Sequence, residues 1–112
     1  MISTHVLDTA RGRPATDVPV LLERVDPSGA RREIARARTD ADGRVRELVA
    51  HGERLEAGTY CLTFETIEYF APAGVEAFYP RVTILFTVRE VAEHYHVPLL
   101  LSPYGYSTYR GS

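Results

Sequence analysis

Alternation with a period of two constrains this chain more than any other feature. In TYCLTFE, Tyr60, Leu62 and Phe64 fall on one side and Thr59, Cys61 and Thr63 on the other, and VTILFTV groups Val82, Ile84, Phe86 and Val88 in the same way. Successive side chains of a strand point to opposite faces, so such segments read as half-buried strands. VPVLLERV and REIARART read as strands of weaker pattern around DPSG, where Pro27 and Gly29 both favour a turn. In TDADGR, Asp42-Gly43 lies between strand-like arms and predicts a tight hairpin. One short helix is expected, around ETIEYFAPAG, ended by Pro72 and Gly74. About seven or eight short strands with turn signals at roughly ten-residue intervals predict an all-β fold, an antiparallel sandwich with two inner apolar faces packed together.

A chain of 112 residues suits one domain, taken as residues 1–112. No internal repeat, linker or low-complexity segment divides it. Thirteen basic against fifteen acidic residues give a net charge of -2, which provides no footprint for a phosphate backbone or an anionic membrane. Neither nucleic acid nor membrane is therefore an expected partner. The single cysteine, Cys61, cannot form an internal disulfide and fits a reducing compartment. MISTHVLDTARGRPA has neither the basic start nor the apolar stretch of a signal peptide, and no apolar run approaches the ~20 residues of a membrane helix. The expectation is a soluble, unprocessed protein of a bacterial cytoplasm.

The strand HYHVPLLLS is phased by its own apolar residues. With Tyr95, Val97, Leu99 and Leu101 facing the core, His94, His96, Pro98 and Leu100 point outwards. In ISTHVLD, Ile2, Thr4 and Val6 share one side and leave Ser3, His5 and Leu7 on the other. In the last strand, Tyr106 and Thr108 oppose Ser107, Tyr109 and Gly111. Outer faces that mix leucines and a tyrosine with histidines predict a second subunit packed across them and a cleft between subunits.

STHVLDTARGRPA near the start, TDADGR in the middle and HVPLLLSPYGYSTYRGS at the end together resemble the transthyretin-related proteins that act as 5-hydroxyisourate hydrolases. The likeness spans the chain and keeps the order of the three motifs. It implies a transthyretin-like sandwich of two four-stranded sheets with one short helix. It also implies a homotetramer built as a dimer of dimers, with active sites in clefts where dimers meet. Carried over residue by residue, it points to His5, Arg44 and His96 as catalytic. The substrate-binding set it implies adds Ser107, Tyr109, Arg110, Gly111 and Ser112 to those three. True transthyretins lack the YRGS ending and these histidines, and use the equivalent channel to bind thyroid hormone.

The chemistry implied is water attack on a ring lactam of 5-hydroxyisourate to give a ureidoimidazoline carboxylate, with no cofactor. Histidine suits the proton work because its ordinary pKa of about 6.5 lies near neutrality, and His5 and His96 share it without a decided division. Arg44 offers a fork of donors for substrate orientation and oxyanion stabilisation. Tyr109 can wall the cleft, Arg110 and Ser112 can help close it, and Gly111 lets the backbone approach closely.

Blander readings apply elsewhere. His94 shares a face with His96 and has no essential part in this mechanism, which leaves it a candidate supporting residue behind the site, and His51 reads as solvated. Two histidines at i and i+2 with His5 nearby could hold zinc, but there is no cysteine pair and no HExxH spacing, so no metal is expected. Asp40 and Asp42 read as hairpin residues, and Arg36 and Arg38 as a solvated sheet face. The rival function is a non-catalytic carrier of a small ligand in the same channel.

Overall fold

The computed structural model describes residues 1–50 and 53–112, and His51 lies outside the described residues. Its strands are β1 (Ile2–Asp8), β2 (Arg13–Pro14), β3 (Pro19–Val25), β4 (Arg31–Arg38), β5 (Arg44–Val49), β6 (Gly58–Phe64), β7 (Val82–Val88), β8 (Tyr95–Ser102) and β9 (Gly105–Thr108). Between β6 and β7 the chain forms α1 (Ile67–Phe70) and a 3₁₀ turn over Ala71–Ala73. Pro72 is accommodated in that turn, and Gly74, in the left-handed region, closes it.

One sheet has the order β4-β3-β6-β7 and is antiparallel throughout. The other has the order β2-β1-β8-β9, with β5 also paired to β1. β8 occupies one edge of β1 along its full length, while β5 and the two-residue β2 share the opposite edge. Tyr60, Leu62, Phe64, Val82 and Ile84 of one sheet pack in a single core with Ile2, Val6, Val97, Leu99 and Leu101 of the other. Each fully buried side chain of this kind contributes roughly 1.5–3 kcal/mol. The inner faces are the ones that the period-two alternation selects.

The all-β sandwich thus agrees with the sequence, and two details differ from it. The first is that β1 and β8 are parallel, with Ile2 opposite Tyr95 and Asp8 opposite Leu101. Alternation is the same in parallel and antiparallel strands, so it carries no information on direction. The sheet containing this pair has five strands rather than four, the fifth being the short β2.

The second concerns Asp42-Gly43, which does not close a hairpin. β4 before it belongs to one sheet and β5 after it to the other, so the turn carries the chain between layers. Gly43 has φ +75°, and a Cβ there would lie 2.4 Å from the Val6 carbonyl oxygen and 3.0 Å from Pro14 Cβ. Close approach to β1, as much as turn type, selects glycine here. Gly43→Ala is expected to destabilise the fold by about 1–3 kcal/mol, read as a lower urea midpoint at unchanged slope. The β3–β4 connection, DPSG, is a hairpin, with Asp26 Oδ1 accepting the N–H groups of Ser28 and Ala30 at 2.9 and 3.0 Å. No helix among the described residues is long and apolar enough to cross a membrane.

Candidate active site

The outer face of the five-stranded sheet gathers polar residues from distant parts of the chain. Across the parallel pair Ser3 stands opposite His96, and across β1 and β5 His5 stands opposite Arg44. Residues directly opposed on paired strands project to the same face. Beyond β9 the chain returns to β8, where the Gly111 N–H donates to the His96 carbonyl at 2.8 Å. The result is an open cleft of about 590 Å³ lined by Ser3, Arg44, His94, His96 and Ser112, with Arg46 and Glu47 on the β5 side.

Arg44 owes its place to the turn before it. Asp40 Oδ1 accepts the N–H groups of Asp42 and Arg44 at 2.8 and 3.0 Å. The Arg44 N–H is the main cause that holds the Asp40 carboxyl below its ordinary value. The turn is tied to β1 by the Val6 N–H, which donates to the Gly43 carbonyl at 2.7 Å. His5 Nε2 donates to the Asp42 carbonyl at 2.8 Å. A carbonyl can only accept, so this bond puts a proton on Nε2 of His5.

His96 is held from behind. The Oγ of Ser3, a residue 4% exposed, lies 2.8 Å from His96 Nδ1 and 2.7 Å from His94 Nε2. No described residue hydrogen-bonds Nε2 of His96. Burial first, then the charges of Arg44, His94 and His5, hold the His96 imidazole below the usual histidine value. The ring is therefore neutral near pH 7 and can accept a proton there. Gly111 packs against its edge, where a Cβ would lie 2.6 Å from His96 Cδ2. Glycine is what allows the tail to lie so close. Among the described residues no group of three or more His, Cys, Asp or Glu is arranged to hold a metal ion.

The sequence-predicted residues divide into two sets. Arg44, His96, Gly111 and Ser112 come together, with His5 next along β1 on the same outer face. Ser107 opposes Leu100 on that sheet but does not line the cleft. Tyr109 and Arg110 border a separate groove of about 340 Å³ beside Leu85, Thr87 and Tyr95. The Arg110 guanidinium lies 4.5 Å from the centroid of the Tyr95 ring and pairs with Glu93 at 3.1 Å. β9 ends at Thr108, and the alternation that aligned Tyr109 with Gly111 ends with it.

Ser3 is the site residue that sequence reasoning missed. Its signal was its phase, two residues before His5 on the same face, but its contact with His96 depends on a parallel pairing that the alternation does not encode.

The match to the model of the HIUase/Transthyretin family extends over residues 2–111. This chain belongs to that family. Within the HIUase/Transthyretin family, 5-hydroxyisourate hydrolase 2 of Rhizobium meliloti (strain 1021) is 48% identical, over 99% of this chain and 95% of the relative. The solved 5-hydroxyisourate hydrolase of Klebsiella pneumoniae superposes with a TM-score of 0.86 at 42% identity, covering 99% of this chain and 97% of the other. Sea bream transthyretin in complex with thyroxine superposes with a TM-score of 0.90 at 30% identity, covering 98% and 93%. A hydrolase and a thyroxine-binding protein thus share the backbone, and the residues lining the cleft must separate the functions.

Proposed function

We propose that this chain hydrolyses 5-hydroxyisourate to 2-oxo-4-hydroxy-4-carboxy-5-ureidoimidazoline in urate degradation, with residues 1–112 as one hydrolase domain. The observation that carries the reading is that His96, held at Nδ1 by Ser3 with Nε2 free of any described partner, lines one open cleft with Arg44. Water attacks the ring lactam carbonyl carbon while His96 removes one of its protons. Charge gathers on the carbonyl oxygen, where Arg44 provides donors and a fixed positive charge. As the carbon–nitrogen bond breaks, the imidazolium returns the proton to the departing nitrogen, and the acyl carbon, still attached to the opened ring, becomes a carboxylate once the second water-derived proton passes to solvent. His5, beside Arg44, is the second proton-transfer group. Water, two imidazoles and a guanidinium supply every proton and charge transfer in this sequence.

The cleft is open on its outer side, and the face around it carries Leu7 and Leu100, each half-buried, with exposed Ser107. We assign this face to assembly as a homotetramer, a dimer of dimers, in which a second copy closes the cleft. Gly111 and Ser112 contact substrate from their own chain, whereas Ser107 and Tyr109 contribute through the assembled interface. Arg110 braces the tail through Glu93. The lone buried Cys61 supports a cytoplasmic location.

The test generates 5-hydroxyisourate in situ with urate oxidase and follows its ultraviolet decay, with sedimentation reporting the mass of the same sample. Accelerated decay by a tetramer is expected. A folded tetramer that leaves the decay rate unchanged would sink the hydrolase reading and leave a ligand carrier.

A further inference from the structure

Ser3 and His94 lie behind His96 and have no part in the bond-making steps above. Ser3 is buried in β1, whereas His94 is exposed immediately before β8. The Ser3 hydroxyl has two imidazole nitrogens within hydrogen-bond distance and a single proton to give. Two proton arrangements satisfy both bonds and also use the hydroxyl proton, which a serine buried as Ser3 is would otherwise leave without an acceptor. Either His96 Nδ1–H donates to Ser3 and Ser3 donates to His94 Nε2, or the direction runs the other way.

The direction decides what His96 presents to substrate. In the first arrangement Nε2 of His96 carries a lone pair, and in the second it carries a proton and cannot act as a base. The charged and titratable groups around the ring are Arg44, Arg46 and Glu47 from β5, His5 from β1, His94 just before β8, and the terminal groups of Met1 and Ser112. Arg44 is a donor-only cation facing the same cleft, and it favours a lone pair over an N–H on the nitrogen left without a partner.

We propose that Ser3 and His94 are positioning residues, which fix His96 with its proton on Nδ1 and its lone pair on Nε2 through the chain His96 Nδ1–H to Ser3 Oγ–H to His94 Nε2. The role of this chain in turnover rests on the hydrolase reading, whereas the tautomer does not. An imidazole free of partners favours the proton on Nε2, and the hydrogen bond at the other nitrogen overrides that preference. When Nε2 takes the proton of the attacking water, the bond from Nδ1–H to Ser3 becomes charge-assisted and strengthens. His94, open to solvent, completes the chain without needing another protein partner.

The experiment labels histidine with nitrogen-15 and assigns the His96 tautomer by two-bond proton–nitrogen correlation near pH 7.5. Kinetics are measured on the same wild type and on Ser3→Ala, His94→Ala and His94→Gln. Expected are a protonated Nδ1 and an unprotonated Nε2 in wild type, with Ser3→Ala moving the proton towards Nε2. In Ser3→Ala and His94→Ala, kcat should fall about 10–100-fold, the usual scale for the outer partner of a functional histidine, with KM little changed. The amide oxygen of His94→Gln can accept the Ser3 proton and should restore most of the kcat lost in His94→Ala. A wild-type His96 protonated on Nε2, or a glutamine variant no better than alanine, would overturn the proposal. A wild type without turnover would sink the hydrolase reading instead, and the tautomer of wild type and Ser3→Ala would then decide the chain alone.

Discussion

His96→Ala is expected to lower kcat for 5-hydroxyisourate hydrolysis by about 10²–10⁴-fold, the range typical of a lost general base. The fold should survive, because His96 lies on the outer face of β8 and the core on its other face is made by Tyr95, Val97 and Leu99. The loss to stability is the one hydrogen bond between His96 and Ser3, which keeps His94 as a partner, and is worth about 1 kcal/mol. Melting followed by circular dichroism beside the decay assay separates the two effects. A variant that keeps near-normal turnover would remove His96 from the chemistry, and one that fails to fold would show that the ring belongs to the scaffold. The wild-type pH profile carries a related expectation. Burial and the neighbouring charges favour the neutral ring, so the acid limb of kcat/KM falls below the ordinary histidine value of about 6.5.

Arg44→Lys is expected to cost about 10²–10³-fold in kcat/KM even though the positive charge remains. Lysine offers a compact charge in place of a planar fork of donors, and donors aimed at developing oxyanion charge are worth about that factor. Comparison with Arg44→Gln separates charge from geometry. Arg44 is one of the charges holding His96 down. Its removal in the glutamine variant therefore lets the His96 pKa rise, and the acid limb moves to higher pH. Lysine keeps the charge and should leave the limb near its wild-type position. Full kcat/KM in the lysine variant would deny Arg44 its directional role, and identical limbs in wild type and glutamine would place the titrating group elsewhere.

The sequence was informative wherever a local rule acted alone. The phase of HYHVPLLLS follows from Tyr95, Val97, Leu99 and Leu101, which are buried, and it correctly turned His96 outwards. The short helix was legible because Pro72 and Gly74 punctuate it. Local rules stopped where two segments had to find each other. Asp42-Gly43 has the composition of a hairpin turn, yet the same residues serve a crossing between sheets, because the Gly43 backbone docks on Val6 instead of leading β5 back to β4. Ser3 looked unremarkable because its partner, His96, lies 93 residues away. In YRGS the motif located the tail but not its orientation. Arg110 turns to Tyr95 and Glu93, a choice set by a cation–π contact and an ion pair that come from a different segment.

The parallel seam between β1 and β8 also bears on the order of events during folding. It joins residues 2–8 to residues 95–101, a separation across nearly the whole chain, and loop closure must be met before such contacts give any return. The hairpins of the other sheet, β3 with β4 and β6 with β7, close over far shorter distances. Catalytic competence is consequently a property of the finished topology. A partly folded chain can own most of its secondary structure and still hold Ser3 and His96 far apart, so the cleft is not assembled before residues 2–8 and 95–101 have met.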